Sequence, residues 1–144
     1  MENNIRKEHP RPQFYRKDWL NLNGRWTCEF SKNIKGFSSS KINKRKFSKN
    51  IKVPFCPESK LSGIGHTDFI QEIWYQKSFT VSRAWKNKKI FIHFGAVDYQ
   101  CFVYVNQKKV GSNIGGSTPF SLDISSAVSF EKIKLLELSN LALL

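Results

Sequence analysis

Proton transfer, nucleophilic attack and metal binding need carboxylates, histidines or cysteines, so the chemistry open to a chain depends on where these residues lie. The 144-residue chain has eleven Asp and Glu, and they are scattered. Only Glu58, Asp68 and Glu72 cluster, within IKVPFCPESKLSGIGHTDFIQEIWYQKSF at 51–79. This stretch opens on a short apolar strand signal, crosses a loop punctuated by Pro, Ser and Gly, and re-enters a strand at Ile73-Trp74-Tyr75. So long a loop between two strands is seldom an idle connection. It holds a histidine and acids among glycines, which makes it the place to look for function. As isolated groups, its three acids read as solvated loop residues and turn caps. His66 has no Cys or second His nearby, since His9 and His93 are remote in sequence, so no metal ligand set is expected. Cys28, Cys56 and Cys101 are odd in number, widely spaced and lack a CxxC pair, which argues against a disulfide framework and a zinc site and for free thiols.

The elements that must position this loop read as strands. Arg25-Trp26-Thr27-Cys28-Glu29-Phe30 alternates, with Trp26, Cys28 and Phe30 on one face. In IWYQKSFTVS at 73–82, Ile73, Tyr75, Phe79 and Val81 form the expected core face, with Lys77 a misfit among them. KIFIHFGAV at 89–97 alternates large apolar residues on both faces, so both are expected to be covered, and His93 reads as a core or interdomain histidine. Cys101, Val103 and Val105 alternate next, and Asn106-Gln107 is expected to turn a hairpin, although it lacks the usual glycine. A Gly-rich loop at 113–119 precedes the strand FSLDI at 120–124. Several short strands separated by turns, with no helical stripe, predict an all-β fold, a β-sandwich or jelly roll. Residues 125–144, SSAVSFEKIKLLELSNLALL, are leucine-rich and show neither strand nor helix periodicity.

The formal net charge is +13, and eight Lys and Arg lie between Lys32 and Lys52 without an acid among them. Lys outnumbers Arg eighteen to six, whereas nucleic-acid readers favour the bidentate Arg fork and carry motifs absent here. Nucleic acid is therefore not the expected partner. No apolar run reaches a membrane-spanning length, and no apolar segment follows the charged first residues. No membrane partner is expected, and the chain as given reads as cytoplasmic.

Seven motifs occur in an order that points to one family: HPRPQF at 9–14, WLNLNGRW at 19–26, VPFCPESKLSGIG at 53–65, WYQKSF at 74–79, HFGAVDY at 93–99, VYVN at 103–106 and GGSTPFSLDI at 115–124. Together they resemble the N-terminal sugar-binding domain of glycoside hydrolase family 2, which includes β-galactosidases, β-glucuronidases and β-mannosidases. The resemblance implies a galactose-binding-domain-like jelly roll, ahead of an immunoglobulin-like sandwich and a catalytic (β/α)8 barrel. The expected organisation is an extended lead-in at 1–17, the sugar-binding jelly roll at 18–124 and a divergent leucine-rich tail at 125–144. The chain departs from the family at Gln107, where Gly is usual, at Asn113, where His is usual, and over the tail, so the sandwich is expected to lack its closing strands.

Glycoside hydrolysis needs two carboxyl groups about 5–5.5 Å apart for retention or about 6.5–9.5 Å for inversion. In the resembled family both lie in the barrel, so no catalytic residue and no cofactor is expected here, and the chain alone is not expected to hydrolyse glycosides. The loop before the WY strand can reach the barrel's pocket in that family, which nominates His66, Asp68 and Gln71 as contacts to sugar hydroxyls or to a neighbouring domain. Expected partners are a β-glycoside, the sandwich and barrel domains, and other copies of the chain through an exposed sheet edge. The alternative is a stand-alone lectin-like or polyanion-binding module using the basic face at 32–52.

Overall fold

The computed structural model describes residues 11–31 and 46–130 and, as backbone, 132–140. Most of the basic stretch at 32–52 lies outside these residues. The strands are β1 (Gly24–Ser31), β2 (Lys49–Val53), β3 (Glu72–Thr80), β4 (Phe91–Phe94), β5 (Gln100–Val105), β6 (Lys108–Ile114), β7 (Phe120–Asp123) and β8 (Lys132–Asn140). Six form one sheet in the order β2-β1-β3-β8-β5-β6, and β4 pairs with β7 in a second sheet. Every pairing is antiparallel. The molecule is an all-β sandwich, as expected, and its sheets do not close into a barrel.

Alternation decides which residues the two sheets enclose. Trp26, Cys28, Ile51, Ile73, Cys101, Val103 and Val105 from the large sheet pack with Ile92 from the small one, and Tyr75, Phe79, Leu122 and Phe120 join them. Each fully buried side chain of this size stabilises by about 1.5–3 kcal/mol. Lys77 shares that face. Its Nζ donates to Arg25 O at 3.0 Å and stands 5.7 Å from the Trp26 ring centre, and burial lowers its pKa. The other face of the large sheet carries a second cluster, Trp74 and Tyr104 with Phe47 and Phe102. Burial pushes the Tyr104 phenol up to about 12.

Three expectations are corrected. The covering of both faces of β4 fails, because Ile92 is buried while Phe91 and His93 are exposed. A sheet of two strands has the core on one side only. His93 is accordingly a surface residue, bonded through Nδ1 to Ser121 Oγ at 2.6 Å. The tail also departs from its expected lack of a closing strand. β8 fills the place between β3 and β5, with Trp74 and Phe102 both in register with Leu138, so the large sheet does not lack its closing strand. β8 is held by a neighbour on each edge, pairings with residues far away in the chain that local periodicity does not reveal.

The β5–β6 hairpin forms as expected. Asn106 and Gln107 both have positive φ, 48° and 71°, as a two-residue turn of this hand requires. Asn106 Nδ2 also donates to Ala127 O at 2.9 Å, a bond that offsets the missing glycine.

Candidate functional site

Topology brings the candidate residues to one end of the large sheet. β3 and β5 both run antiparallel to β8, and their first residues, Glu72 and Gln100, are both in register with Asn140. Ser31, the last residue of β1, is opposite Glu72, and Ile114, the last of β6, is opposite Gln100. The chain entering β3, the bend entering β5 and the loop leaving β6 therefore meet the sheet at the same end. Val53 pairs with Gly24 at the far end, so residues 54–71 travel the length of the sheet to reach Glu72.

Local chemistry fixes that crossing. Ser59 caps a single 3-10 turn, Lys60–Ser62, by accepting from the Leu61 N–H, and Gly63 ends it at φ 86°. The buried Ser62 hydroxyl donates to Ser59 O at 2.7 Å and accepts from Ile64 N at 3.1 Å. The His66 N–H then donates to Pro57 O at 2.9 Å. The loop closes on itself, and its second half presents the candidate side chains.

The half-buried His66 ring lies 5.1 Å from that of Phe30, tilted by 56°, near the end of β1. Asp68 is exposed, Gln71 is half-buried, and Phe69 between them is 65% exposed. Among the described residues no hydrogen bond joins His66, Asp68 and Gln71 to one another. They share an end of the sheet without forming a closed cluster.

Three features here escaped the sequence reading. Glu72 is buried rather than solvated, and its Oε2 has no hydrogen-bond partner among the described residues. A buried carboxylate oxygen without a donor is costly. Second, the bend at Asp98-Tyr99 is tied to the glycine loop by Gly115 N donating to Tyr99 O at 2.7 Å, and a Cβ on Gly116 would run into the Asp98 carboxylate. The GG pair thus sets how closely the 113–119 loop approaches Asp98. Third, Tyr99 and Ile114 are exposed at this end, 43% and 64%, as Phe69 is, and sequence distance hid their grouping.

On the same edge, Glu29 Oε2 accepts from Ser48 N at 2.9 Å and Ser48 Oγ at 2.6 Å, which holds its carboxyl below the usual range. Among the described residues no three His, Cys, Asp or Glu side chains come together as a metal site. The arrangement offers hydroxyl-binding groups beside exposed apolar side chains, at one end of the large sheet.

The model for glycosyl hydrolases family 2, sugar binding domain, matches residues 16–138. A β-galactosidase of Thermoanaerobacter pseudethanolicus is 44% identical over 57 residues, 40% of this chain and 8% of that protein. A β-glucuronidase of Bacteroides fragilis is 27% identical over 127 residues, 87% of this chain and 17% of that protein. The solved β-glucuronidase of Ruminococcus gnavus in complex with a C6-substituted uronic isofagomine superposes with a TM-score of 0.74 at 26% identity, over 83% of this chain and 21% of that chain. The chain thus spans no more than about a fifth of the length of these relatives. Since the family match runs from before β1 into β8, this protein belongs to the sugar-binding-domain family of the family 2 glycosyl hydrolases.

Proposed function

We propose that the chain is the carbohydrate-binding accessory part of a β-glycosidase of β-glucuronidase or β-galactosidase type, and that it does not hydrolyse glycosides by itself. The convergence of residues 54–71, the Asp98-Tyr99 bend and the Gly115-Gly116 loop on the Asn140 end of the sheet carries this reading. His66, Asp68 and Gln71 are the contacts it offers to a sugar or to a neighbouring domain. Phe69, Tyr99 and Ile114 supply the apolar rim that docking against a sandwich or barrel domain would cover. The reading without hydrolysis is supported by the placing of the acids here, Asp68 solvated and Glu72 buried, whereas the reaction needs two carboxyls facing one bond.

The test is turnover of p-nitrophenyl β-glucuronide and β-galactoside by the purified chain, with amide chemical shifts recorded during titration with the methyl glycosides. The expected result is no turnover above the blank and weak shifts at 66–71 that Asp68→Asn diminishes. Turnover that disappears in the Asp68→Asn, Glu72→Gln double variant would overturn the accessory reading.

A further inference from the structure

The outer face of the small sheet carries a group of side chains that the sheet end does not use. Phe91 and Asp123 are in register across β4 and β7, as are His93 and Ser121, and all four are exposed. The Phe91 and His93 rings stand 6.4 Å apart, 26° from parallel, and Phe91 remains 48% exposed. Ser121 Oγ is 2.6 Å from His93 Nδ1, which fixes the ring and leaves Nε2 at the surface. Asp123 Oδ1 accepts from Ser125 N at 2.9 Å and Ser125 Oγ at 2.6 Å, and Ser125 Oγ accepts in turn from Ile90 N at 2.9 Å. The carboxylate is thereby held in place with Oδ2 available.

We infer that this patch is a second carbohydrate site, taking a neutral pyranoside with its C–H face on the Phe91 ring and its edge hydroxyls bonded to Asp123, Ser121 and His93. An aromatic ring beside a fixed acceptor and a donor–acceptor pair is the combination a pyranose needs, since it has an apolar face and a rim of hydroxyls. Both ring residues sit on one short strand and both oxygen-bearing residues on its partner, so the sheet itself sets their spacing. The Ser125 bonds keep Asp123 ionised, which disfavours phosphates and uronates. A flat patch that buries one side of a single sugar binds weakly, in the millimolar range.

The site stands apart from the sheet end in the proposal above. Phe94 and Phe120 are the β4 and β7 residues leading toward the Asp98 bend and the glycine loop, whereas Phe91 and Asp123 close the opposite end of the small sheet. The two readings can therefore fail separately.

The experiment is an amide-shift titration of the chain with methyl β-galactoside, methyl β-glucoside and methyl β-glucuronide. Saturable shifts at 91–93 and 121–123 with the two neutral sugars are expected, with the glucuronide weaker. Phe91→Ala should weaken binding by about three- to tenfold while the spectrum keeps its dispersion, because the residue faces solvent. Asp123→Ala should weaken it independently. Shifts confined to 66–71 and 96–116, shifts unchanged by Phe91→Ala, or no shift at tens of millimolar sugar would each overturn the second site.

Discussion

At the scale of the residue, Lys77 is the clearest conflict between sequence pattern and environment. It occupies a core-facing register position of β3, and it is tolerated because its Nζ reaches the rim, where Arg25 O accepts its proton. Burial lowers its folded-state pKa below the ordinary 10.5, so the unfolded chain binds more protons in the window between the two values. Stability should therefore rise with pH through that window, and the full penalty is present at neutral pH. Lys77→Met should raise the melting temperature at pH 7 by an amount worth up to about 1 kcal/mol, reduced by the residue's partial solvent contact. The advantage should shrink toward pH 10.5, and thermal melts across that range measure it. The cysteines make a second residue-scale case. Cys28 and Cys101 are buried and Cys56 is exposed, and burial pushes the Cys28 thiol up to about 11. A thiol reagent should thus modify Cys56 alone in the native chain and all three cysteines after denaturation.

At the scale of the element, the approach of the two sheets depends on Gly111 in β6. A Cβ there would meet Leu122 Cδ2 of β7 at 2.5 Å and Cδ1 at 2.9 Å. The glycine is required by closeness rather than by dihedral angle. Gly111→Ala should destabilise by about 1–3 kcal/mol through overpacking, and Leu122→Ala in the same chain should recover part of the loss. Chemical denaturation of the single and double variants checks this, since the recovery separates a steric cause from a loss of strand propensity. The loop at 54–71 is likewise specified by a few local devices. Ser59, Ser62 and Gly63 were visible as polar and glycine punctuation, while their closure onto Pro57 and the packing of His66 on Phe30 emerge only from the folded chain.

At the scale of the whole molecule, β8 holds the large sheet together. It pairs with β3 along all nine of its residues and with β5 along six, so without it the sheet separates into β2-β1-β3 and β5-β6. Ending the chain after Phe130 should abolish the cooperative melt seen by circular dichroism. Leu136→Pro, which removes a ladder N–H in a central strand, should cost about 1–3 kcal/mol through the carbonyl left without its donor, read by chemical denaturation. With this place filled, the outermost strands of the large sheet among the described residues are β2 and β6. They carry Lys49, Lys52, Lys108 and Lys109, charges that oppose edge-to-edge pairing.

The sequence by itself determined the strands whose core-facing residues recur at every second position. β1 was legible through Trp26, Cys28 and Phe30, and the β5–β6 hairpin through Val103, Val105 and the Asn106 turn. It also determined the family, through local motifs that need no tertiary context. Only the tertiary structure decided the rest. It placed the leucine-rich tail between β3 and β5, through pairings with strands far away in the chain. It turned Phe91 and His93 outward, because the small sheet has one covered side, and it buried Glu72, whose neighbours come from distant strands. Above all, it decided that the chain around His66, Asp68 and Gln71, the Asp98 bend and the 113–119 loop share one end of the sheet. That meeting depends on two strands registering on Asn140, a pairing between residues far apart in the chain that no local pattern encodes.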